Sequence, residues 1–154
     1  GVGKTTTLQW VEQETGRVDG GSLAIYLELR RLPESRRHYL EPAADGAPAV
    51  LAEALADRTD PRLDDAAAAR VIKHLIAHGR LPLLVDAIDQ TLPEEHVGRK
   101  LQELHKFLHG EGRNCRVVVA GRPYAVDRYW DCLFHDGPWR FAQVAPFDQD
   151  QQQA

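Results

Sequence analysis

Three short apolar runs, separated by helical stretches, set the strongest limit on the fold of this chain. Residues 22–29 (SLAIYLEL), 81–86 (LPLLVD) and 115–121 (CRVVVAG) are short and apolar, which predicts two buried strands and a third strand. A weaker fourth run occupies residues 140–147. Because helical stretches lie between the runs, the sequence predicts an α/β fold with a mainly parallel sheet.

The segments between the runs have the spacing of helices. Residues 4–14 predict the first helix. Two helices are expected between the first and second strands. In the later one, Val71, Ile72 and Leu75 share a face, and Gly79 ends the helix.

Residues 93–109, between the second and third strands, predict an amphipathic helix that ends at Gly110. Its apolar stripe consists of Val97, Leu101, Leu104 and Leu108. Residues 30–48 contain three prolines and four arginines. That composition is typical of a surface connection, so no regular element is expected there.

Composition is typical of a soluble globular protein. The chain is 43% hydrophobic and 27% charged, with a net charge of −4 and a pI near 6.0. This balance argues against a face that binds nucleic-acid phosphates, and the apolar runs are too short to cross a bilayer. Cys115 and Cys132 fit neither a disulfide framework nor a zinc site, so we expect a cytoplasmic protein. The absence of methionine predicts a piece of a longer protein.

The opening residues, GVGKTTTL, resemble the last part of a phosphate-binding loop that runs into a helix. In such a loop, backbone N–H groups and the positive end of the helix dipole face the phosphates. Gly1 and Gly3 let the backbone approach the anion, and Lys4 supplies charge for the β- and γ-phosphates. Thr5 offers a hydroxyl to Mg²⁺, and Thr6 completes the expected nucleotide-binding set. The alternative is a glycine-rich turn that caps a helix without a ligand.

A strand that ends in an acid provides the second candidate element, within LPLLVDAIDQ. Burial would hold the strand rigid while Asp86 projects from its carboxyl end toward the loop, where it can hold Mg²⁺ through water. Asp89, three residues further on, could orient an attacking water. The alternative is an ordinary strand that leaves the core into an acidic turn.

Arg122 follows the third strand directly, in VVVAGRP. An arginine at this edge of the sheet can contact the γ-phosphate, distinguish ATP from ADP and stabilise transferred charge. The alternative is a surface arginine that precedes a turn at Pro123.

Together these motifs resemble the NACHT branch of the STAND signal-transduction ATPases over nearly the whole chain. The matching segments are GVGKTTTLQW, LAIYLELRRL, GRLPLLVDAIDQ, RVVVAGRPYAV and VAPFDQDQ. The resemblance implies a three-layer P-loop core that binds ATP or ADP with Mg²⁺. It also implies a role for each matching residue: phosphate contacts by Gly3 and Lys4, Mg²⁺ binding by Thr5 and Asp86, water activation near Asp89, and γ-phosphate sensing by Arg122.

Two departures from the family pattern concern turnover. Gln90 stands where the family commonly has glutamate, and glutamine can orient a water but cannot take its proton. Ala120 and Gly121 replace a hydroxyl pair before the arginine. Nucleotide binding is therefore better supported than hydrolysis, which we expect to be slow.

Other phosphate-loop classes compete with this interpretation. The loop also resembles those of ParA-like ATPases and signal-recognition GTPases. The first strand lacks the Asp of the former, however, and the chain lacks the guanine-reading segment of the latter. A small-molecule kinase could use the arginine-rich residues 30–37 as a lid.

Two helical histidine pairs, His74 with His78 and His105 with His109, have metal-binding spacing but fit solvated helix faces better.

The expected function is a nucleotide-controlled switch in which residues 1–147 form the nucleotide-binding domain and residues 148–154 begin a helical region. Its partners would be downstream helical and sensor domains of the same chain, with homo-oligomerisation on activation. The alternative is a nucleotide-stabilised interaction module without hydrolysis. The family's central strand before the loop is lacking, so we expect a gap or an improvised pairing between strands 115–120 and 140–146, and poor folding of the isolated chain.

Overall fold

The computed structural model describes a three-stranded parallel sheet with helices on both faces. It covers residues 4–18, 21–32, 39–42, 46–86, 88, 94–135 and 137–143. The strands are β1 (Ile25–Glu28), β2 (Leu83–Asp86) and β3 (Val117–Val119), in the order β1-β2-β3. Each lies inside one of the apolar runs, so the predicted α/β class with a parallel sheet is confirmed.

Five α-helices lie in the described part of the chain, together with two short helical turns. The helices are α1 (Lys4–Val18), α2 (Ala49–Ala56), α3 (Asp65–Ala77), α4 (Glu94–His109) and α5 (Pro123–Arg128). A 3-10 turn covers Leu29–Arg31, and a π-helical turn covers Trp130–Phe134. None of these helices is both long enough and apolar enough to cross a membrane.

Alternation along the strands divides the core into two layers. On one face, Leu84 packs with Ala24 and with Leu8 of α1. On the other face, Leu83 and Val85 belong to the larger core, which α2, α3 and α4 complete. Helix α1 therefore packs on the face of the sheet opposite to α2, α3 and α4. Its amino end lies at the edge where the strands end.

Helix α3 ends before Gly79 as predicted, and one of its predicted apolar residues is partly exposed. The Asp64 side chain accepts a hydrogen bond from Ala67 N and caps the first turn. Gly79 takes a φ of +64° just after the helix, where a left-handed residue closes the last turn. Ile72 and Leu75 are buried as expected, whereas Val71 is 40% exposed. Ala68 and Ala69 are buried with Ile72 and Leu75, so Val71 lies at the margin of the apolar face.

The stripe predicted on α4 faces the core, and the helix ends before Gly110. Val97, Leu101 and Leu104 are buried, and Leu108 packs against them at the margin of the core. The amide of Gly110 donates to the carbonyl of Phe107, which closes the last turn.

The connection after β1 is not confined to the surface, contrary to the prediction for residues 30–48. Tyr39 is buried, and its hydroxyl donates to the carbonyl of Lys100, 2.7 Å away. The Lys100 ammonium is buried too, and donates to the carbonyls of Leu29 (2.9 Å) and Leu32 (2.8 Å). Helix α4 thus holds the connection down by hydrogen bonds. The segment's content of arginine and proline concealed this anchor.

A fourth strand is not formed over residues 140–143, and residues 144–154 lie outside the described part of the chain. The ring of Phe141 instead stacks on Trp130, with 5.4 Å between the centroids. Among the described strands β3 pairs only with β2, and Val118 is 48% exposed at this edge. Over residues 140–143 the chain therefore makes aromatic contacts through Phe141 instead of pairing in the sheet.

Candidate functional site

Polar residues at the ends of the apolar runs lie at the carboxyl edge of the sheet. Asp86 is the last residue of β2 and is 3% exposed. All four residues of that strand are buried, so its backbone is fixed by packing on both faces and by pairing with β1 and β3. In register with Asp86, Glu28 ends β1. The edge therefore presents a rigidly held carboxylate.

Thr5 and Asp86, which are 81 positions apart in the sequence, meet at this edge. The Thr5 hydroxyl donates to Asp86 Oδ2 over 2.5 Å. Thr5 lies in the first turn of α1, so the contact places the amino end of a 15-residue helix beside the end of β2. Sequence reasoning paired these two side chains as magnesium ligands, and the structure brings them together.

Tyr26 is a third member of the cluster, and sequence reasoning missed it. Its hydroxyl donates to the same oxygen, Asp86 Oδ2, at 2.9 Å. Its backbone amide donates to Glu12 Oε1 of α1 at 2.9 Å, and its ring packs with Leu8 and Leu84. Burial, and then the hydrogen bond with Asp86, raise the pKa of the Tyr26 phenol, so it stays a donor. The available signal was a tyrosine in an otherwise apolar strand, two residues before a glutamate.

Glu28 lies on the same face of the sheet as Asp86 and was also missed. It is buried, and its carboxylate pairs with Arg30 and, at 2.6 Å, with Arg31. Both arginines are largely exposed, so the pairs contribute little to stability. Their effect is local: they neutralise a second carboxylate beside Asp86.

Lys4 and Thr6 flank the cluster at the start of α1. Lys4 is half-buried and Thr6 is exposed. The first turn of the helix contains no acidic side chain, so its positive end is not offset from within the helix. Gly1 and Gly3 lie outside the described residues, and their predicted contacts with phosphate stay predictions.

Arg122 lies at the same edge, three residues beyond β3. It is exposed, and its carbonyl accepts the first hydrogen bonds of α5, from Ala125 and Val126. The preceding Gly121 packs against Ile88, which is 1% exposed in the segment after Asp86. The segments that follow β2 and β3 therefore touch through Gly121 and Ile88. Asp89 and Gln90 lie outside the described residues, and their predicted roles stay predictions.

The donor atoms at this edge suit Mg²⁺. That ion prefers oxygen ligands, retains several waters, and binds proteins through one or two carboxylates together with substrate phosphates. Thr5 and Asp86 supply a hydroxyl and a carboxylate that already touch. Among the described residues there is no group of three or more histidine, cysteine or acidic side chains able to form an all-protein metal cage.

The two histidine pairs form ring contacts on their helices, tilted for His74 with His78 and stacked for His105 with His109. The ring centroids of His74 and His78 are 4.1 Å apart, as are those of His105 and His109. In each pair the second ring places Nδ1 within hydrogen-bonding distance of the first residue's carbonyl. These contacts fit the predicted role as helix surface.

A cleft of about 520 Å³ lies at the opposite end of the sheet, where β3 begins and α4 ends. Arg113, Arg116, Val117 and Trp139 are among its lining residues, and it includes none of the predicted site residues. Cys115 also lines it, and burial raises the pKa of that thiol to about 11. The cleft is therefore separate from the Thr5–Asp86 cluster.

Comparison with known proteins gives no assignment. The chain has no significant match to a family model, to a curated protein or to a solved structure.

Proposed function

We propose that this chain is the nucleotide-binding core of a NACHT-type STAND ATPase, a switch controlled by ATP or ADP. The observation that carries the proposal is the 2.5 Å contact between the Thr5 hydroxyl and Asp86. A glycine-lysine-threonine loop at a helix start, touching an acid at the end of a buried strand, is the arrangement that holds magnesium and phosphate together.

Electrostatics at this edge favour a phosphate–metal pair over either ion alone. The amino end of α1 attracts an anion, while Asp86 at the same point attracts a cation. A nucleotide with Mg²⁺ satisfies both. Thr5 and Asp86 would hold the ion, which supplies charge neutralisation for the β- and γ-phosphates. Lys4, at the start of the helix, would contact the same phosphates.

The sheet supports a P-loop core in its strand order and layers. Helix α1 covers one face, and α2, α3 and α4 cover the other. The strand that precedes Arg122 is at the edge of the described sheet. The resemblance implies a further central strand beside that edge. Three-layer packing and a ligand site at the carboxyl ends of the strands are typical of open α/β folds.

Slow hydrolysis fits the residues beyond Asp86. Gln90 can orient a water without accepting its proton, so Asp89 would be the base and Arg122 the sensor of the γ-phosphate. In the proposed switch, exchange or hydrolysis changes how this domain packs on helical and sensor regions of the same chain, with homo-oligomerisation on activation.

A second candidate, a nucleotide-stabilised interaction module that does not hydrolyse ATP, is favoured by the same Gln90 and by Gly121. Ile88 fills the space that a side chain at Gly121 would need, so the hydroxyl usual in the family has no room there. Single-turnover hydrolysis of labelled ATP by the full-length protein separates the two candidates. Product formation supports the ATPase, and its absence with bound ATP supports the module.

Calorimetric titration of the full-length protein with Mg-ATP tests the binding claim. We expect Lys4→Ala to weaken binding about tenfold or more, because a charge-assisted hydrogen bond contributes about 1.5–3 kcal/mol. Lys106→Ala is the matched control, since Lys106 is exposed near the far end of α4, toward the amino ends of the strands. Equal affinity of the wild type and the Lys4 variant would contradict the phosphate-loop assignment.

A further inference from the structure

We propose that Tyr26 is a positioning residue that fixes the Asp86 carboxylate for magnesium. This inference rests on the proposed function and adds to it a residue that neither the loop motif nor the acidic motif contains. The geometry that points to it is the convergence of two hydroxyl donors, from Thr5 and Tyr26, on one oxygen of Asp86.

The two donors are held in different ways. Thr5 is exposed in the first turn of α1, where helix ends fray most easily. Tyr26 is in β1, which pairs with β2 along its whole length. Its amide donates to Glu12, and its side chain packs against the cluster of Leu8, Ala24 and Leu84. The phenol oxygen therefore has a position that packing fixes.

The proposed chemistry gives the two hydroxyls unequal tasks. The Thr5 oxygen must offer a lone pair to the metal while its proton points to Asp86, so its position follows the bound nucleotide. Tyr26 has no phosphate to bind and can hold Asp86 Oδ2 in both the free and the loaded protein. A carboxylate oriented before the ligand arrives loses less conformational freedom on binding, which raises affinity.

The effect of Tyr26 should therefore appear in the magnesium-dependent part of nucleotide affinity. A nucleotide that binds without metal would contact the loop and Lys4, and its affinity would not depend on the orientation of Asp86. Tyr26→Phe keeps the ring in its packing site and removes only the hydroxyl. We expect this variant to lose about fivefold or more in affinity for ADP with Mg²⁺, and to keep its affinity for ADP in EDTA, because one hydrogen bond to a charged group is lost.

The experiment measures ADP affinity by calorimetry in Mg²⁺ and in EDTA, with thermal unfolding midpoints, for the full-length wild type, Tyr26→Phe and Tyr39→Phe. The Tyr39 variant is the matched control, since its buried hydroxyl bonds to the Lys100 carbonyl rather than to Asp86. We expect the ratio of the ADP affinity in Mg²⁺ to the ADP affinity in EDTA to fall in Tyr26→Phe and to stay at the wild-type value in Tyr39→Phe.

Each other outcome overturns a specific statement. A wild type without magnesium-dependent ADP binding overturns the proposed function itself. An unchanged ratio in Tyr26→Phe overturns the positioning role and leaves the proposed function standing. Equal losses in Mg²⁺ and in EDTA, with a lower unfolding midpoint, assign Tyr26 a purely structural role and also overturn the inference.

Discussion

A methyl group added at Gly121 tests the packing that joins the segments after β2 and β3. A Cβ built on Gly121 would lie 2.3 Å from Ile88 Cγ1 and 2.6 Å from its Cδ1. Carbon atoms in contact are normally about 3.5–4.0 Å apart, so Ile88 would have to move by more than about 1 Å. Ile88 is 1% exposed, so that movement would have to take place inside the core. Gly121→Ala therefore overpacks the site.

The expected cost follows from that geometry. Inserting a methyl group into a filled site typically destabilises a protein by about 1–3 kcal/mol. Replacing glycine by alanine also reduces the conformational freedom of the unfolded chain, which stabilises the folded protein by about 0.4–1 kcal/mol and offsets part of this cost. The net free energy of unfolding should fall by about 1–2 kcal/mol, or the midpoint by roughly 2–8 °C for a chain of this size. Gly121→Ser, which adds a hydroxyl to the same Cβ, should cost at least as much.

Urea unfolding followed by circular dichroism measures the change, with Gly98→Ala as the matched control. Gly98 is within α4, and a Cβ there meets nothing within 4 Å, so alanine should stabilise the protein by about 0.5–1 kcal/mol. The double variant Gly121→Ala with Ile88→Ala should relieve part of the clash. Its loss of unfolding free energy should therefore differ from the sum of the two single losses by about 0.5–3 kcal/mol. A Gly121 variant as stable as the Gly98 variant would refute the packing argument.

Three further changes have defined outcomes. Burial raises the pKa of Tyr39 above its unfolded value of 10, so stability should fall as the pH rises above about 10, and Tyr39→Phe should flatten that fall in a pH series of urea midpoints. Cys115, with its pKa near 11 rather than 9, should react with iodoacetamide at pH 8 about a hundredfold more slowly than the same thiol in urea, as mass spectrometry over time would show. Gln90→Glu should raise the ATPase rate about a hundredfold or more where water activation limits it; an unchanged rate in a phosphate-release assay would point to Asp89 as the base, or to product release or assembly as the slow step.

The parts of the fold that the sequence predicted are those with one dominant local signal. The runs at 22–29, 81–86 and 115–121 are short and apolar and are separated by helical stretches, and each contains a strand of the parallel sheet. Gly79 and Gly110 ended their helices as predicted because a helix end depends on local backbone geometry.

The errors arise where tertiary contacts outweigh local composition. The arginine-rich segment after β1 concealed the buried Tyr39, because its anchor, Lys100, lies about sixty residues away. The fourth run was expected to join the sheet, yet over residues 140–143 the chain packs by Phe141 on Trp130.

The candidate site was predictable in its pairing of Thr5 with Asp86, since both belong to motifs with a shared chemical purpose. Tyr26 and Glu28 could not be predicted as members of the site, because the sequence of a strand does not show which residues of other elements lie beside it. Their presence beside Asp86 depends on the register of β1 against β2 and on the docking of α1.

The most direct test of the account is a crystal structure of the full-length protein with Mg²⁺ and a non-hydrolysable ATP analogue. We expect the β- and γ-phosphates at the amino end of α1, the metal bound to the Thr5 hydroxyl, and Asp86 beside the metal with Tyr26 still donating to it. An analogue bound elsewhere, or a metal that contacts neither Thr5 nor the waters held by Asp86, would contradict this expectation.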